Sequence, residues 1–94
     1  MLGRIITHPP ESTGRFQVFF GSLSPGGQSS GVASHAGEEV ALVLRGRVEY
    51  IVNDVTYQLE EGDLIYYPSS LPHSYRNFSE ELAEILWVEI GTED

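Results

Sequence analysis

The chain contains no cysteine, which excludes disulfide staples, thiolate metal sites and cysteine nucleophiles. Any metal must therefore sit on histidine and carboxylate. It contains no lysine either: five arginines (Arg4, Arg15, Arg45, Arg47, Arg76) stand against fourteen acidic residues, for a formal net charge of −9. That charge repels phosphate backbones and anionic headgroups, so neither direct nucleic-acid binding by this chain nor adhesion to a membrane is expected. No run approaches the roughly 20 apolar residues that span a bilayer, and MLGRIITHPPESTG lacks an apolar signal-peptide core. A cytoplasmic location is the expectation. Runs of amphipathic helix and basic patches are missing as well, so no helix-turn-helix is expected within these residues.

What remains is a chain of 94 residues, 40% hydrophobic, with ten Gly and five Pro, enough for a single domain over residues 1–94 with many turns. From Glu39 to Leu59 the sequence EVALVLRGRVEYIVNDVTYQL alternates β-branched and aromatic residues with polar ones, the pattern of a strand meander. Val48, Tyr50 and Val52 fall on one face and Arg47, Glu49, Ile51 and Asn53 on the other. Asn53-Asp54 offers two residues that tolerate positive φ, as a tight hairpin demands, and Val55, Tyr57 and Leu59 continue the inward face. RFQVFFG alternates in the same way, and the Pro/Gly/Ser stretch behind it is read as joining two strands of one sheet. LAEILWVEI is read as a strand from about Leu82 to Ile90, with Leu82, Leu86, Val88 and Ile90 in one phase. Roughly nine short strands with Gly or Pro at most corners predict an all-β sandwich or barrel.

Most residues able to ligate a metal lie in two clusters, Gly27-x7-His35-x3-Glu39-x6-Gly46 and Gly62-x5-Pro68-x4-His73-x3-Asn77. With these spacings the sequence resembles the cupin superfamily, whose motifs G-x5-H-x-H-x3/4-E-x6-G and G-x5-P-x-G-x2-H-x3-N match in register at all but two positions. Motif one then covers residues 27–46 and motif two residues 62–77. The resemblance implies a small double-stranded β-helix, the cupin or jelly-roll barrel. Gly46 and Gly62 suit corners that need positive φ, and Pro68 can end a strand by removing a ladder donor. His35, Glu39 and His73 would form a two-His, one-carboxylate metal site, a donor set suited to Fe, with Mn, Ni, Co or Zn also possible. Their even spacing should put His35 and Glu39 on one face of an extended chain. Two departures stand out. Ala33 replaces the family's first metal-binding histidine, leaving at most three ligands, and Ser70 replaces a turn glycine.

The strings SHAGEEVALVLRGRVEY, YQLEEGDLIYYPSSLPHSYRN and AEILWVEI look like the C-terminal sensor domain of bacterial helix-turn-helix regulators. That likeness implies a small-molecule effector, bound in a cavity to which Tyr50, Tyr75, Phe16 and Trp87 are assigned by strand phase, with Tyr57 a further candidate. An alternative implied by the wider family is a mononuclear metalloenzyme of dioxygenase, epoxidase or isomerase type. A homodimer is also expected. If Glu39 points inward, so do Ala41 and Val43, which turns Val40, Leu42 and Leu44 outward beside Ile51, too much aliphatic surface for solvent.

Overall fold

The computed structural model describes residues 16–91. Within them seven strands run in order: β1 (Phe16–Leu23), β2 (Glu38–Arg45), β3 (Arg47–Val52), β4 (Val55–Glu60), β5 (Leu64–Pro68), β6 (His73–Arg76) and β7 (Ala83–Ile90). They form a four-stranded sheet ordered β1-β7-β2-β5 and a three-stranded sheet ordered β4-β3-β6, with every pairing antiparallel. The all-β double-sheet barrel is thus as the sequence implied. The described strands number seven against roughly nine expected, because residues 24–37 cross the molecule with only two isolated bridges, Gln28 to Arg76 and Ala33 to His73. This segment leaves β1 and returns to β2 in the same sheet, closing the barrel along β6 of the other.

Alternation sets the interior. Ala41 and Val43 of β2, Val48, Tyr50 and Val52 of β3, and Ala83 and Ile85 of β7 are buried, joined by Leu59 and Tyr67. Val40 and Leu42 are half-buried and Leu44 is exposed, as the phase of β2 predicts. Two expectations need correction. Val55 and Tyr57 share the phase of Leu59 yet are 50% and 44% exposed, because β4 is a sheet edge and of this phase only Leu59 is covered. Glu49, on the polar face of β3, is buried, held by Arg76 Nε at 2.5 Å and by Gln58 Nε2 at 3.0 Å.

The turns follow the chemistry of their residues. Asn53 and Asp54 take φ of 49° and 68°, the left-handed pair of a two-residue hairpin whose twist matches its strands. Asn77, fully buried, donates through Nδ2 to Leu23 O and Glu81 O and accepts from Ser79 through Oδ1, pinning the start of the 24–37 crossing to the loop before β7. Gly46 and Gly62 both have positive φ, +81° and +92°, but their surroundings differ. A Cβ at Gly46 would stand 2.5 Å from Leu82 O and 2.9 Å from Ala83 Cα, whereas at Gly62 nothing lies within 4 Å. Gly62→Ala should therefore cost about 1 kcal/mol, the left-handed penalty alone, and Gly46→Ala about 3 kcal/mol or more, since backbone must also move. Urea denaturation of the two variants checks the ranking; equal losses would contradict it.

Candidate functional site

Each member of the His35, Glu39 and His73 trio comes from a different setting. Glu39 is the second residue of β2 and points into the barrel, 5% exposed. His73 opens β6 on the facing sheet and is equally buried. His35 lies outside any strand, with its side chain 42% exposed. The even-spacing argument for His35 and Glu39 therefore does not hold: Gly37, at φ +111°, turns the chain between them. A Cβ there would meet Ile90 O, so only glycine allows this bend, and His35 is fixed instead by its N–H to Ser69 O at 2.9 Å.

The side chains nonetheless converge. Glu39 Oε1 is 3.5 Å from His35 Nε2 and 3.4 Å from His73 Nε2, and the three ligand atoms all lie within 4.8 Å of one another. Two donors about 2.1 Å from a common ion at a tetrahedral angle would be about 3.4 Å apart, so these spacings suit a divalent metal. The hydrogen bonds agree. His73 Nδ1 donates to Leu71 O at 2.8 Å and His35 Nδ1 to Ala36 O at 3.2 Å, which leaves both Nε2 lone pairs facing the carboxylate. Glu39 Oε1 is buried and has no hydrogen-bond partner, a costly state for an anion that a cation would relieve. Burial raises the Glu39 carboxyl above its ordinary value and Glu89 raises it further; His73, the Tyr67 hydroxyl and His35 pull it back by less.

Above the trio opens a cavity of about 360 Å³, with walls that include Phe19, Ser29, Tyr75, Trp87 and Glu89. Of the residues assigned to ligand from the sequence, Tyr75 and Trp87 reach it. Tyr50 does not line it: fully buried, it accepts from Trp87 Nε1 at 3.1 Å and shares a 2.9 Å hydrogen bond with the Tyr67 hydroxyl. Burial is the leading cause that pushes both tyrosine hydroxyls up, so they stay protonated and brace the cavity floor. The Phe16 side chain lies outside the described residues. Ala33, bridged to His73, also lines the cavity, and its methyl group offers no ligand atom. Sequence reasoning missed Glu89 and Phe19. Cross-strand register, which spacing along the chain does not encode, brings them in: Glu89 is paired with Glu39 and Phe19 with Trp87.

The structure is a double-sheet barrel in which His35, Glu39 and His73 are gathered into one candidate metal site. The cupin domain family model matches residues 19–89, most of the chain, and the chain belongs to that family. Among curated relatives, the HTH-type transcriptional regulator PuuR of Escherichia coli is 29% identical over 69 residues, which is 73% of this chain and 37% of the regulator. The chain thus spans just over a third of that relative's length. Among solved structures, the cupin domain of an XRE family transcriptional regulator from Enterobacter cloacae superposes with a TM-score of 0.80 at 24% identity, covering 92% of both chains, a likeness of fold. A predicted oxalate decarboxylase from Thermotoga maritima superposes with a TM-score of 0.73 at 28% identity, covering 80% of this chain and 65% of that one.

The unpartnered carboxylate has a measurable consequence. With EDTA present at neutral pH, Glu39→Gln should raise stability by about 1 kcal/mol, or about 4–8 °C in Tm, because it removes a buried charge that also faces Glu89. A carboxyl raised in the folded state is a penalty at high pH that vanishes as protonation proceeds. The advantage of the variant should therefore shrink as the pH falls through the Glu39 pKa. Calorimetric melts across that range test this; a variant less stable than wild type under EDTA would contradict the electrostatic account.

Proposed function

We propose that this cupin domain is a metal-dependent small-molecule sensor, the effector-binding part of a cytoplasmic transcriptional regulator, with residues 1–94 forming one domain. The observation that carries this reading is the aromatic-walled cavity whose floor is the His35, Glu39 and His73 trio. Those three side chains would hold the ion, which when bound supplies a Lewis-acid point for a ligand's oxygen or nitrogen. The protein's own groups do the rest. The bond from His73 Nδ1 to Leu71 O and the Tyr67 hydroxyl beside Glu39 orient the trio, Trp87 and Tyr75 give inclined apolar walls, and Ser29 stands at the rim, its hydroxyl bonded to Gly31 O and to the Tyr75 N–H. The regulator role is supported by the likeness to PuuR. A metalloenzyme is the second reading, favoured by the likeness to the predicted decarboxylase and by the Glu89 carboxylate beside the trio.

A thermal-shift screen of small metabolites against metal-loaded protein, followed by mass spectrometry of the compound recovered, separates the two. A sensor should return a stabilising compound chemically unchanged after prolonged incubation. Conversion of it would favour the enzyme, and a screen in which nothing stabilises the protein would contradict both.

The sensor is further proposed to be a homodimer joined through the outer face of the four-stranded sheet. Register places Val18, Val88, Val40 and Tyr66 in one row and Phe20, Leu86, Leu42 and Leu64 in the next, and among the described residues no strand covers them. Phe20, Leu64 and Tyr66 are 42%, 57% and 58% exposed, an apolar patch of the kind that associates. The two-fold pairing would suit a regulator reading a two-fold operator. Sedimentation at tens of micromolar should give twice the chain mass for wild type and the chain mass for Leu42→Glu; a monomeric wild type would contradict the proposal.

A further inference from the structure

We propose that the cavity selects ligands bearing a positively charged nitrogen, seated between the Glu89 carboxylate and the rings of Phe19, Trp87 and Tyr75. The inference rests on the reading of this cavity as a ligand site and names the chemistry of its occupant. Charge is the first argument. Among the described residues the lining carries two carboxylates, Glu39 and Glu89, and neither arginine nor lysine. A divalent ion at the trio would be only half neutralised by Glu39, with Glu89 supplying the second negative charge, so it is the metal-free cavity that is anionic, with no arginine or lysine among the described residues around it. A ligand carboxylate would meet repulsion there, and an ammonium group would meet attraction strengthened by the low dielectric of the barrel.

The rings make the second argument. Trp87 and Glu89 are two residues apart on β7 and so face the same side, and Phe19 is opposite Trp87 in register. Tyr75 lies with its ring centroid 5.3 Å from that of Trp87 at 41°, so the two rings form inclined walls and not a flat stack. A cation within about 6 Å of such faces is attracted by their quadrupoles, most strongly by Trp, and more so when water is excluded. The buried Glu39, whose Oε1 has no hydrogen-bond partner, adds a second carboxylate to the lining of the same cavity. At about 360 Å³ it admits a small molecule only.

Trp87 is the only tryptophan, so its fluorescence reports on this cavity alone. The test titrates EDTA-treated protein with n-butylammonium, n-butyrate and n-butanol, which share one chain and differ in charge. Butylammonium should bind about tenfold or more tightly than either of the others, and Glu89→Gln should reduce the preference at least severalfold, while Glu84→Gln, on the opposite face of β7, keeps it. Butyrate or butanol binding as well as butylammonium, no response to butylammonium up to about 100 mM, or a preference undiminished in folded Glu89→Gln would each overturn the proposal. Should Glu89→Gln fail to fold, the wild-type ranking decides, with Phe19→Leu expected to weaken butylammonium at least severalfold. The sensor reading fails separately: an anionic metabolite that binds and is returned intact would overturn this inference and leave that reading standing.

Discussion

The structure turns on one buried carboxylate. Glu39 is carried into the barrel by a strand whose other inward residues are Ala41 and Val43, and its Oε1 ends between two imidazole nitrogens with no donor of its own. A core that needed only stability would place an aliphatic side chain there. The surroundings make sense as the support that such a charge requires. His73 is locked in one tautomer by Leu71 O, and the Tyr67, Tyr50 and Trp87 side chains form a hydrogen-bonded brace beneath. The aromatic contacts run on without a break, from His35 to His73, Tyr67, Tyr50, Tyr75 and Trp87. Ordering these rings by packing leaves the trio little freedom, and that rigidity is what a ligand site needs.

The crossing segment 24–37 extends the same logic to the cavity mouth. Two bridges tie it to β6, one of them pairing Ala33 with His73 in both directions, and Asn77 fixes its origin. The bend at Gly37 then brings His35 over Glu39. Loop residues supply one member of the trio and part of the wall, while the sheets supply the other two members and the aromatic walls, so the fold closes the candidate site by returning one connection across its open side.

Much of this was legible in the sequence because the relevant signals are local. The Asn53-Asp54 turn, the corner glycines Gly46 and Gly62, and the alternation of β2 and β3 each follow from the backbone preferences of a few adjacent residues. The trio was legible through the spacing of its motifs. Other features depend on what lies across a sheet, which spacing does not encode. Tyr57 and Val55 have the right phase but sit on an edge. Tyr50 has the right phase but lies behind Trp87. Glu89 was hidden for a further reason: in β7 the conspicuous alternating set is Leu86, Val88 and Ile90, whereas the inward set is Ala83, Ile85, Trp87 and Glu89. Both faces of that sheet are apolar, so hydrophobicity alone does not say which one lines the cavity.

The central claim is that His35, Glu39 and His73 together hold a metal ion as the floor of a ligand cavity. Elemental analysis of the protein purified without added metal tests it most directly, with His73→Ala as the comparison. The account predicts close to one equivalent of a divalent transition metal per wild-type chain and almost none in the variant. A wild-type chain that stays free of metal even after incubation with Fe, Mn, Ni, Co or Zn, or a His73→Ala chain that retains its full complement, would contradict it.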